Sequence, residues 1–211
     1  MFKTLYLSYQ HTISKLSLIS GLAPLLLRLI VAPVLIQAGW NKFSSFDDTV
    51  AWFGNSDWGL GLPLPALLVT LTIAAELVGG VLLLLGCFTR LVAIPLMVTM
   101  LVAIFTVHLP YGWPAIADTS SWLADGTILH NERVMASGEK IEAARSILRQ
   151  HGNYDWLTSS GKLVILNNGI EFAAMYFAML LSLFFTGGGR FVSIDYWVNR
   201  LLKRRISGTS Q

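Results

Sequence analysis

The chain has 211 residues, 54% of them hydrophobic and only 13% charged, and its 15 Lys+Arg against 12 Asp+Glu give a formal net charge of +3. Such a composition belongs to a protein whose solvent is largely lipid, and it excludes an acidic or disordered solvated chain. A single cysteine, Cys87, excludes internal dithiol chemistry, a C-x-x-C pair and a thiolate cluster; no nucleic-acid partner is expected.

In chain order, residues 1–21 lack the apolar core and small-residue cleavage pattern of a signal peptide. Phe2, Leu5, Tyr6, Tyr9, Ile13 and Leu16 recur at helical spacing, which predicts a cytoplasmic amphipathic segment lying on the inner surface. Four apolar stretches come next, at 22–40, 64–85, 91–108 and 168–185. Each is close to the ~20 residues needed to cross about 30 Å of hydrocarbon. The predicted fold class is therefore an all-α integral membrane protein, a single domain over 1–211 built as a four-helix transmembrane bundle. A long extracytoplasmic loop, 109–167, joins helices three and four. Within it, residues 137–152 read as a short helix with Ile141, Ala144, Ile147 and Leu148 on one face, Ser137 as its cap and Gly152 as its stop. Residues 187–211 form a basic tail ending in a frayed Ser-Gly-Thr-Ser-Gln.

Charge placement sets the orientation. Lys3 and Lys15 precede the first span, Arg90 sits between spans two and three, and Arg190, Arg200, Lys203, Arg204 and Arg205 come after the last. The link 41–63 carries Lys42 against Asp47, Asp48 and Asp57, and the long loop has five bases against six acids. By the positive-inside rule both termini are cytoplasmic, in a multi-pass protein of the bacterial inner membrane. Aromatic anchors at Trp40, Trp52, Tyr111, Trp113 and Trp197 fit the two interfaces.

The informative residues are those that do not belong in hydrocarbon. Glu76 lies near the middle of the second apolar stretch, where an ionised carboxylate costs a few kcal/mol unless it is paired, protonated or facing a cavity. Arg28 lies about 9 Å into the first stretch and Glu76 about 13 Å from the same side, at 1.5 Å per residue, so a buried Arg28–Glu76 ion pair is expected. Gly79 and Gly80 clear the Glu76 face for close helix packing. Near the opposite boundary, Lys42, His108 and Glu171 form a second candidate layer, the catalytic candidates, able to move protons, bind a polar head group or hold a metal through His108. Ala174, Ala178 and Ser182 share the face of Glu171 and are expected to turn it inward.

Metal binding has its own candidates. Met97 with Met100 and Met175 with Met179 place thioethers on single helical faces, a soft set that would suit Cu(I), although methionine also fills packing gaps. His108 is the one histidine near a span end; His11, His130 and His151 are dispersed outside, which gives no bis-histidine haem pair. Phosphate loops, H-E-x-x-H and nucleophile elbows are absent.

Three segments together carry a resemblance: Gln37-Ala-Gly-Trp-Asn-Lys-Phe43 after the Arg28 span, Glu76-Leu-Val-Gly-Gly-Val-Leu-Leu-Leu-Leu-Gly86 with Thr89-Arg90, and Gly187-Gly-Gly-Arg-Phe-Val-Ser-Ile-Asp-Tyr196. In these the chain resembles the DoxX family of small four-helix membrane proteins. The resemblance implies kinship with membrane subunits of thiosulfate:quinone oxidoreductase and with proteins of oxidative-stress complexes. The long loop and Ile165-Leu-Asn-Asn-Gly-Ile-Glu-Phe172 depart from the minimal pattern and look like the branch associated with copper-binding, ribosomally made peptides.

The expectation is thus a non-autonomous membrane protein, not a self-sufficient enzyme: an accessory subunit of a membrane redox or stress-response system. The alternatives are a membrane partner in maturation or handling of a copper-binding peptide, and an assembly scaffold without chemistry. Quinone or copper is the cofactor these readings imply, and the partners are the lipid bilayer and either other proteins of a membrane complex or the peptide.

Overall fold

The computed structural model describes residues 2–16 and 19–208, with side chains omitted at 4, 8, 12–16 and 207–208. Ile13 and Leu16 of the N-terminal stripe, and the last three residues of the expected frayed end, lie outside what is described. The chain is helical, and its only β pairing among the described residues is two isolated bridges, Ile116 with Leu166 and Asp125 with His130. In chain order the helices are α1 (Phe2–Leu16), α2 (Leu22–Ser44), α3 (Phe46–Gly54), α4 (Pro65–Leu85), α5 (Thr89–Tyr111), α6 (Glu132–Met135), α7 (Ser137–His151), α8 (Tyr154–Leu157), α9 (Glu171–Thr186) and α10 (Ile194–Gly208). The α2, α4 and α5 helices are long and apolar enough to cross a bilayer.

The chain divides into two compact units, residues 1–100 with 176–211, and residues 101–175. In the first unit, α2 buries Arg28, Val31, Ala32, Leu35 and Gly39, one stripe at helical spacing. Its opposite side, with Leu26, Leu29 and Ile30 about half exposed, is the apolar surface that lipid covers. Val31, Ala32, Leu35, Leu83, Leu96, Leu180 and Leu183 are essentially without exposed surface and form the core, with Met100 buried beside them and Met97 and Met179 packed against it. A satellite core of Phe53, Val69 and Ile73 seats α3 on the first half of α4, so the expected 41–63 link is largely helical. Asp47 and Asp48 in the first turn of α3 suit the positive end of its dipole.

The packing of the small residues is more specific than their spacing. A side-chain carbon on Gly80 would come within 2.7 Å of Ile36 on α2, and one on Gly79 within 3.3 Å of Val92 on α5, so both glycines serve helix packing. In α9, Ala178 is exposed and Ala174 partly buried, while the bulkier Leu180 and Leu183 fill the core from the neighbouring face.

One end of this unit is closed by a polar clasp. Gly86 (φ +67°) turns α4 toward α5, and any side chain there would collide with the Arg28 guanidinium. Arg28 Nη1 donates to the carbonyl of Leu84 at 3.1 Å and Nη2 to that of Val192 at 2.7 Å. Asp195 accepts from the backbone N–H of Phe88 at 2.7 Å and of Thr89 at 2.9 Å, capping α5 from a distant segment, and its own N–H donates to the Gly86 carbonyl at 3.0 Å. Ser193 Oγ caps α10 by accepting from the N–H of Tyr196 at 3.2 Å.

In the second unit, residues 112–117 and 165–171 zip together. Asn167 and Asn168 N–H both donate to Ala115 O, Gly169 N–H to Pro114 O, and Ile170 N–H to Gly112 O. This pairing consumes 168–170, so α9 starts at Glu171 and is 16 residues long, shorter than the expected fourth span. In α7, Ser137 is not the cap: the helix already includes it, and its buried hydroxyl donates to Val134 O at 2.6 Å, while Gly152 ends the helix as expected. The clasp gives a direct expectation for stability. Asp195→Ala, which frees two N–H groups at the start of α5, lowers stability in detergent by about 1–2 kcal/mol, and Gly86→Ala, which forces a side chain onto Arg28 at a positive φ, by about 1–3 kcal/mol. Thermal unfolding followed by size-exclusion chromatography measures both, and wild-type behaviour of Gly86→Ala rules the clasp out.

Candidate functional site

Glu76 sits on a π-helical turn, Ala74–Val78, inside α4. One extra residue in the turn widens the helix and rotates the residues beyond it, a device found often at functional positions and one with no signature in sequence. The carboxylate is buried, with its side chain 4% exposed, and its partner is Lys42, whose Nζ donates to Oε2 at 2.7 Å. Lys42 is in the last turn of α2, one turn beyond Gly39. A side-chain carbon on Gly39 would stand 2.9 Å from the Glu76 Cβ, so glycine is what lets α2 approach closely enough for Lys42 to fold back onto the carboxylate. The lysine side chain is 26% exposed, which makes the pair a charge couple closed on the carboxylate side and open on the ammonium side.

The expected Arg28–Glu76 pair is therefore not formed. Both residues are buried, as expected, but the two Nη groups of Arg28 donate to main-chain carbonyls, its Nε has no partner, and Glu76 is paired with Lys42. The physical reason is reach: Gly39 brings the end of α2 against Glu76, and the Gly86 turn brings the carbonyl end of α4 against Arg28.

His108 and Glu171 belong to the second unit, and each has its own partner there. His108 ends another π-helical turn, Ile104–His108, and its Nδ1 lies 2.8 Å from the carbonyl of Asn168. A carbonyl can only accept, so Nδ1 carries the proton in this contact. Glu171 opens α9, but its Oε2 accepts from the N–H of Ala115 at 2.9 Å, pinning the helix start to the zipped segment. Glu171 also lines a cleft of about 270 Å³ with Pro114, Ala115, Ile116, Asp118, Ser121 and Phe172. Ser120 bonds the Asp118 carboxylate through its hydroxyl and its N–H, holding that acid below the usual carboxylate range. Asn167, which had no part in the expected site, is buried and donates to the carbonyls of Tyr111 and Pro114, organising the floor of this unit.

Of the metal candidates, Met97 and Met179 pack against the core and Met175 is exposed at 40%. Among the described residues no three of His, Cys, Asp and Glu converge on a point that could hold an ion. The arrangement that can do chemistry is the acid–base couple of Lys42 and Glu76, which can hold or pass a proton within an apolar span. Its energetics are testable by a double-mutant cycle. Glu76→Gln and Lys42→Gln each lower stability, and the double variant recovers about 1–3 kcal/mol of their sum. Glu76→Gln combined with Arg28→Gln is additive. Additivity of the Lys42 and Glu76 losses removes the couple.

Comparisons with known proteins match the part of the chain that carries these residues. Positions 23–109 match the family model described as DoxX. The "Putative oxidoreductase CatD" of Bacillus subtilis (strain 168) is 35% identical over 85 residues, covering 40% of this chain and 59% of that protein, so the match spans about three fifths of the relative's length. No solved structure matches. Arg28, Gly39, Lys42, Glu76 and Gly86 all fall within the matched positions. Residues 23–109, which carry both the Lys42–Glu76 couple and the Arg28 half of the clasp, are the part of this membrane protein that matches the DoxX family model.

Proposed function

We propose that this protein is a non-autonomous subunit of an inner-membrane redox or stress-response system, with the Lys42–Glu76 couple as its working centre. The observation that carries the reading is a buried carboxylate on a π-helical turn, paired to a partly open ammonium, inside the region similar to a protein named as an oxidoreductase. A quinone head group beside Lys42 would find a hydrogen-bond donor there, and Glu76 would relay the proton; the electrons come from a partner protein. His108, held through Nδ1, and the Glu171 cleft are a second polar centre on this reading, suited to proton exchange on the loop side.

The topology that goes with it has four spans, α9 being the short one, with both termini cytoplasmic and the loop 109–167 outside. In a Cys87→Ser background, single substitutions Asn55→Cys and Lys140→Cys react with an impermeant thiol reagent added outside, and Arg205→Cys reacts only after the membrane is opened. Reaction of Lys140→Cys from the cytoplasmic side alone overturns this arrangement.

The functional test uses Glu76→Gln, Lys42→Gln, His108→Ala and Glu171→Gln at wild-type protein level in cells lacking the native gene. Survival under oxidative stress falls toward that of the deletion strain for the first two. Sensitivity to copper alone would instead favour handling of a copper-binding peptide, and wild-type survival of all four would favour a scaffold; either result sinks the redox reading.

A further inference from the structure

The C-terminal helix α10 is built to lie in the bilayer interface. It runs for 15 residues, Ile194–Gly208, about 22 Å at 1.5 Å per residue. Ile194, Trp197, Val198, Leu201 and Leu202 recur at i, i+3, i+4, i+7 and i+8, one continuous helical face, and all five are between 41% and 60% exposed. Arg200, Lys203, Arg204 and Arg205 supply positive charge. The acid of this helix, Asp195, is already engaged by the N–H groups of Phe88 and Thr89. Arg200 and Arg204 lie along one edge of the apolar face and Arg205 ends it one turn beyond Leu201; the Arg200 guanidinium stands 5.5 Å over the Trp197 ring, whose Nε1 donates to Phe191 O at 3.1 Å.

What covers this face is decided by its depth. Asp195 holds the first turn of α10 to the Gly86–Thr89 turn by three hydrogen bonds, and Arg28 holds Val192. That turn joins α4 to α5, two helices long and apolar enough to cross the membrane, so it marks the edge of the hydrocarbon. A helix anchored at that edge, apolar on one face, basic along one edge of it and at its far end, has the architecture of an interfacial helix whose charges meet lipid phosphates.

We propose that α10 docks flat on the bilayer, apolar face down, and that Arg200 and Arg204 make this docking dependent on anionic head groups. The full-length protein with Cys87→Ser is reconstituted into nanodiscs of phosphatidylcholine alone or mixed with phosphatidylglycerol. A nitroxide is attached at Leu201→Cys or Asn199→Cys, in variants that elute as the wild type does. In the mixed discs the Leu201→Cys label is relaxed by oxygen and shielded from a water-soluble nickel chelate, and the Asn199→Cys label shows the reverse. Docking weakens in phosphatidylcholine alone and in high salt. Each of Arg200→Gln and Arg204→Gln shifts the docked-to-undocked ratio by about fivefold in the mixed discs. Equal exposure of both labels to the chelate overturns the proposal, as does shielding of both labels from oxygen and chelate together, which a second protein copy covering the helix would give. Equal docking in the two lipid compositions overturns the anionic requirement.

Discussion

A charge inside an apolar helix must find its partner within the protein, because lipid offers none. This chain meets that constraint twice in the same pair of helices by different means. Glu76 receives an opposite charge. Arg28 receives neutral dipoles: the carbonyl of Leu84, one of those left open at a helix C-terminus, and the carbonyl of Val192. The carbonyl solution keeps a full positive charge at the end of α4, where the helix dipole is negative. It also demands that chain segments far apart in sequence converge, and the Gly86 turn, residues 187–190 and Asp195 are the means by which they do.

The Lys42–Glu76 couple shows how a local irregularity earns a place in a membrane helix. A π-helical turn is a weaker arrangement than the regular helix around it. Here it coincides with the one buried acid of α4 and with Gly39 on the facing helix. His108 ends a second such turn in α5. Both turns carry a titratable side chain, and in both the neighbouring structure supplies that side chain with a fixed hydrogen-bond partner.

Burial of Arg28 and Glu76 was legible in the sequence, because an ionisable residue deep in an apolar run has few other places to point. Their partners were not. Depth along two helices matches any charges at similar heights, and it cannot reveal a main-chain carbonyl, since every residue has one. Lys42 read as a boundary lysine because its position ends an apolar run; only the close approach allowed by Gly39 turns it inward. The start of α9 was misplaced because 168–170 pair through backbone groups with no side-chain pattern to betray them. In α10 the apolar residues repeat at helical spacing, a legible pattern, but the arginines and the lysine among them give the segment the composition of a basic tail. The three segments that carried the family resemblance turn out to be physical partners in two pairs, Gly39 and Lys42 against Glu76, and the Gly86–Thr89 turn against Ser193 and Asp195.

The Arg28–Val192 bond joins residues 164 positions apart, and this sets a timetable for biosynthesis. At 5–20 residues per second, the ribosome makes Val192 roughly 8–33 s after Arg28. During that interval the guanidinium lacks one of its two native acceptors while the first helix is already emerging. Its position near the start of α2 allows it to snorkel to the head groups until the last acceptor arrives. Chains truncated before Val192 never receive that acceptor, so their Arg28 stays without one of its two carbonyl partners.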